Sequence, residues 1–344
     1  MKFLPQFIFW IIFLCPASAL YAQWQPQASG TDANFQAVSA ASRRVVWVGG
    51  TKGTFVRTTD GGKTWQAGRV PGADSLDFRD VHAVSRFQAY LMSAGPAERG
   101  QARIYRTLNG GKTWELVYET RQPGVFLDGM DFWSSRHGIA FSDPVEGKWF
   151  VIRTYNGGRS WDQIPPKRLP AMQPGEAAFA ASGTSLVVDT TGRNSVWIAS
   201  GGSQYGRVFQ SDNGGRTWRV RETPIPAGPT SGIFGLYASG RRAMAVGGDY
   251  KQEHAATLNV AVTRNNGRTW EAATPTDPPG LKEGIGWQRR RRLVVVGPSG
   301  SCYTDDWGKT WTKIDDSAYH AIACAGGTCW AVGAKGRIGV LGKN

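Results

Sequence analysis

The chain has 344 residues, with 45 glycines, 15 tryptophans and a formal net charge of +14. Strongly helical stretches are lacking, and this composition suits many short strands joined by turns rather than a helical bundle. The basic balance says nothing about fold, but it points to an anionic partner.

In chain order, Lys2 is followed by the apolar run Phe3–Leu14 and by Ala17-Ser18-Ala19 or Leu20-Tyr21-Ala22 as a small-residue cleavage site. This pattern predicts a Sec-type signal peptide over residues 1–22, its apolar run being too short for a spanning helix. Cys15 follows Leu14, where a lipoprotein signal needs a small residue. No other stretch is long and apolar enough to span a bilayer. The expectation is an exported protein, periplasmic or secreted, with one domain over residues 23–344. Loss of Lys2 with the leader leaves a net charge of +13.

Beyond the leader, Thr58-Thr59-Asp60-Gly61-Gly62-Lys63-Thr64-Trp65 sets a pattern of eight residues. It returns at Thr107–Trp114, Thr154–Trp161, Ser211–Trp218, Thr263–Trp270 and Thr304–Trp311, six copies in all. The acid or amide of each copy is Asp60, Asn109, Asn156, Asn213, Asn265 or Asp306. Such a side chain accepts bonds from nearby backbone N–H groups and folds a tight turn, while the glycine takes φ > 0 freely. The tryptophan adds a large apolar body with an N–H that asks for a partner. A structural fastener is favoured over a sugar- or metal-binding loop.

Between the boxes lies a β-rich run ending in Gly or a small residue: Val45–Gly49, Ala89–Ser93, Gly138–Ser142, Ser195–Ala199, Ala243–Gly247, Leu293–Gly297 and Cys329–Gly333. Each has an upstream partner strand, such as Phe35–Val38 or Ala318–Ile322. The repeat is therefore four strands, a to d from inner to outer, with the box between c and d. Four-stranded sheets repeated radially make a β-propeller, here all-β with seven blades. The last unit ends at its third strand, Arg337–Leu341. Gln23-Trp24-Gln25-Pro26, with its tryptophan, is expected to supply the missing outer strand and close the ring.

Cys324 and Cys329 flank a hairpin turn, so a disulfide between them is compatible with an oxidising compartment, two buried thiols being the alternative. Cys302 is expected to be buried.

The topology sorts the loops onto two faces. On one face the a–b turns carry Arg43, Arg44, Arg86, Arg136, Arg193, Arg241, Arg242, Arg289, Arg290, Arg291 and Arg292. The boxes add Lys63, Lys112, Arg159, Arg216, Arg268 and Lys309. Turn cations are ordinarily just solvated, and the run Arg289–Arg292 is what argues for a phosphate-rich, acidic-protein or anionic-lipid contact. Interleaved aromatics for base stacking are not evident there, and with export this disfavours nucleic acid. The opposite face gathers Asp128, Asp131, Asp143, Glu146, Glu176, Asp249 and Tyr250, read as b–c or d–a loop residues. Of these, Asp143, Glu176, Asp249 and Tyr250 form a candidate ligand site at the channel mouth. A pair such as Asp143 and Glu176 would serve as acid and base on a sugar if their separation fitted.

Other chemistries lack support. His82, His137, His254 and His320 are scattered without metal-ligand spacing. No nucleophile elbow or dinucleotide fingerprint occurs, so no catalytic residue, metal or cofactor is expected.

The boxes resemble the Asp-box, the bacterial neuraminidase repeat, which in its families is a structural turn away from the active centre. Sialidases carry an Arg-Ile-Pro motif that this chain lacks, so sialidase activity is disfavoured. With seven units, boxes ending in Gly-Gly-Lys/Arg-Thr-Trp and b strands ending in Val-Gly-Gly, residues 23–344 resemble the photosystem II stability/assembly factors. Gly138–Pro144 and Ala245–Tyr250 are similar to the non-photosynthetic relatives of that family. The resemblance implies a non-enzymatic scaffold that binds a membrane or envelope protein through an arginine patch, and a monomer is expected. A carbohydrate-active enzyme or glycan-binding lectin is the alternative.

Overall fold

Every Asp-box closes a c–d hairpin in the same way. Asp60 Oδ1 accepts from the Thr58 hydroxyl at 2.8 Å and from the Thr64 N–H at 3.0 Å, and Thr58 Oγ accepts from the Gly62 N–H at 2.9 Å. The bonds from Thr64 hold the Asp60 carboxyl well below its ordinary value. The asparagine boxes substitute the amide group without changing the pattern; Asn109 accepts from the Thr113 N–H and donates to its hydroxyl. The indoles behave differently from the sequence expectation. Trp218 and Trp311 donate to carbonyls, but the N–H groups of Trp65, Trp114, Trp161 and Trp270 find no partner among the described residues. Their contribution is apolar area: Trp114 packs edge-on against Trp47 and Phe55 of the preceding blade, at 6.0 and 5.1 Å between ring centroids.

The computed structural model describes residues 23–189, 191 and 194–342; the leader expected over residues 1–22 and Arg193 fall outside them. Seven antiparallel four-stranded sheets follow one another. Blade I comprises Phe35–Ala40, Val46–Gly50, Thr54–Thr58 and Gln66–Arg69. Blade II holds Asp77–Ala83, Ala89–Ala94, Ala102–Thr107 and Glu115–Thr120; blade III holds Leu127–Phe132, Gly138–Val145, Lys148–Thr154 and Asp162–Gln163. Blade IV has Leu186–Asp189, Ser195–Ala199, Tyr205–Ser211 and Arg219–Pro226. Blade V has Ser231–Ser239, Arg242–Asp249, Val260–Thr263 and Glu271–Ala272; blade VI has Gly284–Arg289, Arg292–Val296, Ser301–Thr304 and Thr312–Asp315. Blade VII takes Ala321–Ala325, Thr328–Val332 and Arg337–Leu341 from the C-terminal end and Gln25–Ala28 from the N-terminal end. Gln25 pairs with Val340 and Ala28 with Arg337, so the N-terminal strand closes the ring.

The b strands are buried along most of their length, and throughout in Val46–Gly50 and Ser195–Ala199, because a neighbouring blade covers each face. That is why they read as continuous apolar runs instead of alternating. The hydrophobic clusters straddle adjacent blades: Trp47 and Phe55 pack with Phe78, Leu91 and Tyr105, and Trp330 and Ile338 of blade VII with Phe35 and Val46 of blade I. The terminal glycine of a b strand has a steric cause. A Cβ at Gly49 would lie 2.9 Å from the Phe78 carbonyl oxygen, and one at Gly333 would lie 2.9 Å from that of Ala318. At Gly49 the inner strand of blade II passes too close for a side chain, and at Gly333 the segment leading into blade VII itself does so.

Candidate functional site

The a–b turns and the boxes share one face because they bond to each other. The Gly61 N–H donates to the Arg44 carbonyl, Gly110 to Phe87, Gly157 to Arg136, and Asn266 to Arg241, at 2.8–3.0 Å. Arg43, Arg44, Arg86, Arg136, Arg241, Arg242, Arg290 and Arg291 are all exposed on that face, and Arg289 is half-buried. Arg292 is committed elsewhere: it grips Asp305 through Nε and Nη2 at 3.0 and 2.7 Å and lies 3.8 Å over the Tyr303 ring. Those bonds to Asp305 raise its pKa further. The other described a–b arginines make no ion pair within 4 Å among the described residues; Arg86 stacks on Phe87 and Arg242 on Trp307.

Three of these cations, Arg242, Arg290 and Arg291, border a groove of about 650 Å³ lined by residues of blades III, IV, V and VI. Its walls include Trp287, Trp307, Tyr237, Arg242, Arg290 and Arg291, and it runs beside a second depression of about 540 Å³ lined by Arg289–Arg292 and Asp305. Trp287 is 47% exposed, and its indole N–H donates to the Arg290 carbonyl, fixing the ring beside the arginine turn. Two carboxylates also border the groove, and both are bonded into the fold. Asp189 accepts from the Thr191 N–H and hydroxyl and from the Gly240 N–H. Asp131 accepts from the Phe132 and Val188 N–H groups and lies 3.1 Å from His82 Nδ1. What remains for a ligand is three guanidinium groups between two indoles. Sequence reasoning missed these aromatics: Trp287 sits on an inner strand, and Trp307 occupies the variable position of a box, so neither is near the other in sequence.

The opposite mouth differs from the loop cluster expected there. Asp128 and Asp131 lie within the inner strand of blade III, and Asp131 belongs to the a–b end. The inner strand starts earlier than a loop reading allows, and Asp131 is tolerated inside it because the Phe132 and Val188 N–H groups face its carboxylate. Asp143 sits at the bulge between Ser142 and Pro144 on its b strand, where Oδ1 accepts from the Ala178 N–H at 3.0 Å. Glu176 does not join it. Its fully buried carboxylate is held by Arg207, by the Ser200 hydroxyl at 2.6 Å and by the Gln173 N–H at 2.8 Å. The acid–base pair of Asp143 with Glu176 is therefore not assembled. Asp249 accepts from the Lys251 N–H in a turn, Tyr250 stands exposed at the rim, and Glu146 occupies a hairpin turn with φ 51°.

Cys324 and Cys329, paired across the blade VII hairpin, are joined by a disulfide. Cys302 is free and buried, and burial pushes its thiol up to about 12. Among the described residues no three His, Cys, Asp or Glu side chains are grouped to hold a metal.

Fold and face together define a seven-bladed Asp-box propeller with a cation–indole groove on the face of its a–b turns. The BNR/Asp-box repeat family model matches residues 56–67, the first box. The structure of YCF48 bound to D1 peptide is similar with a TM-score of 0.67 at 14% identity, over 94% of this chain and 98% of that one. YCF48 from Cyanidioschyzon merolae is similar with a TM-score of 0.68 at 15% identity, over 93% and 99%. The WD40 β-propeller domain of Doa1 reaches 0.64 at 10% identity, over 94% and 98%. These likenesses are to the fold, since a WD40 propeller scores almost as well as the two YCF48 structures. No curated protein matches the chain in sequence.

Proposed function

We propose that the protein is an exported binding scaffold, acting as a monomer, that docks an acidic segment of a membrane or envelope protein during assembly of its complex. The observation that carries this reading is the groove of Arg242, Arg290 and Arg291 between Trp287 and Trp307, whose bordering carboxylates are all turned into the fold. Guanidinium groups take carboxylates in two-point contacts, and partly exposed indoles supply anchors for apolar side chains of the same segment. The peptide in one of the similar structures is in keeping with a protein ligand for a propeller of this kind. Entry into the envelope is assigned to residues 1–22, whose pattern is that of a cleaved leader.

The test is capture from solubilised envelope membranes by the wild-type protein and by Arg290→Ser/Arg291→Ser and Trp287→Ala variants. One membrane protein should be retained by wild type and lost, by at least about tenfold, in both variants, given the usual weight of arginine and tryptophan anchors. Equal capture by all three would remove the groove from the reading. Capture of lipid vesicles alone, sensitive to the arginines and not to Trp287, would replace the protein partner by an anionic surface.

A further inference from the structure

The mouth at the b–c end contains a pocket of about 510 Å³ that the docking face leaves unused. Asp128, Asp143, Glu283 and Arg79 supply its charges; Phe179, Phe234 and Tyr250 supply an aromatic wall. Asp128 is only 1% exposed, and its Oδ2 has no hydrogen-bond partner among the described residues. A buried, unpaired carboxyl oxygen costs stability, so its persistence at the edge of a cavity points to a missing donor. The other acids are partly served: Asp143 by the Ala178 N–H, Glu283 by His320 Nδ1 at 2.6 Å. Arg79 lies close enough to act on both Asp128 and Glu283, but it forms no ion pair within 4 Å among the described residues. Three carboxyl groups thus face one guanidinium, in a protein that is strongly basic elsewhere.

We infer that this mouth binds a primary alkylammonium group, with Asp128 Oδ2 and Asp143 as its carboxyl partners and the Phe179–Tyr250 wall against its alkyl chain. Phe179 stacks on Phe234 at 4.2 Å between centroids, and Tyr250 meets it edge-on at 6.1 Å, which makes a braced wall for a methylene chain. An ammonium offers several donors and is favoured near aromatic faces. The Asp128 carboxyl is pushed well above its ordinary value, first by burial and then by the Asp143 charge, against the Asp143 backbone N–H and the weaker pull of Arg79. Burial also raises Asp143 and Glu283, the latter against the pull of His320. A carboxyl raised in this way gains from a cation beside its anion, so ammonium binding and ionisation of Asp128 favour one another. Where Asp128 is protonated, ammonium binding breaks its O–H bond, the proton leaves to solvent, and the carboxylate pairs with the ammonium.

The chemistry has two sources, a free diamine or a lysine side chain, and calorimetric titration separates them. Cadaverine and Nα-acetyl-lysine amide are titrated into the purified protein at pH 6 and pH 8, in buffers of different ionisation enthalpy, with glucose as a neutral control. At least one amine is expected to bind with a Kd of about 1 mM or tighter, and, because the Asp128 pKa is raised, no more weakly at pH 8 than at pH 6. Cadaverine alone binding would identify a free amine, and the lysine amide alone a side chain. Asp128→Asn, which keeps the shape of the protonated acid, should fold with an unchanged or raised Tm and weaken binding by at least about tenfold. Arg290→Ser, on the other face, should leave it unchanged. Absence of binding by both amines, equal binding by Asp128→Asn, or competition by glucose would each overturn the assignment. None of these outcomes depends on whether the arginine face docks a protein.

Discussion

Lys282 has no solvent exposure, and its ammonium donates to Ser299 Oγ at 2.5 Å. Burial lowers its pKa from 10.5 to about 8, against the weaker pull of Cys302 and Asp277. A lowered lysine means that the unfolded chain holds its proton more firmly than the folded one. Stability therefore rises with pH between about 8 and 10.5 and is at its lowest, as far as this group is concerned, below pH 8. The charge costs at most about 3 kcal/mol at neutral pH. Ser299 Oγ also donates to the Leu281 carbonyl, so it is not orphaned if the lysine goes. Lys282→Met should stabilise the protein by about 1–3 kcal/mol at pH 7 and flatten the rise between pH 8 and 10.5. Urea denaturation at pH 7 and pH 10 checks both halves, and a variant with the wild-type pH slope would show that the charge sits elsewhere.

At the level of elements, the repeat was readable because each blade writes the same physics locally. The box residues bond within eight positions of one another, so Thr58, Asp60 and Thr64 declare their turn without help from the rest of the chain. The Gly-ending b strand was readable too, although its cause, the close approach of Phe78 to Gly49, lies in the next blade. Long-range partners were not readable. Glu176 looked free until Arg207 appeared 31 residues away, and Asp128 and Asp131 looked like loop acids because a strand boundary cannot be fixed to the residue. The groove was half legible: its arginines stand out in the turns, but Trp287 and Trp307 meet only through the folding of blade VI. The disulfide of the blade VII hairpin closes a loop of separation 5. So short a loop constrains the unfolded chain little, and Cys324→Ser/Cys329→Ser should cost about 2 kcal/mol. A markedly larger loss in thermal denaturation would mean that the sulfur packing of Cys324 against Gly286 matters more than the cross-link.

For the whole molecule, the decisive contact is the one that joins its two ends. Gln25–Ala28 forms the outer strand of blade VII, so the sheet most distant in sequence is completed by the first residues described. Four residues of pairing hold little by themselves, and the anchor is Trp24. It is 5% exposed, donates from its indole to Ser301 Oγ at 2.8 Å, and packs 5.2 Å from Tyr319 between blades VI and VII. It thereby ties the N-terminal strand to two blades at once. Trp24→Ala should cost about 3–5 kcal/mol, the usual loss for a buried tryptophan. Because hydrophobic clusters bridge every neighbouring pair of blades, release of this strand weakens the ring as a unit instead of fraying one edge. Chemical denaturation should show one cooperative transition moved to lower denaturant with its slope kept. A second, earlier transition with the main midpoint unmoved would instead mean that blade VII opens alone and that the other six blades stand without closure.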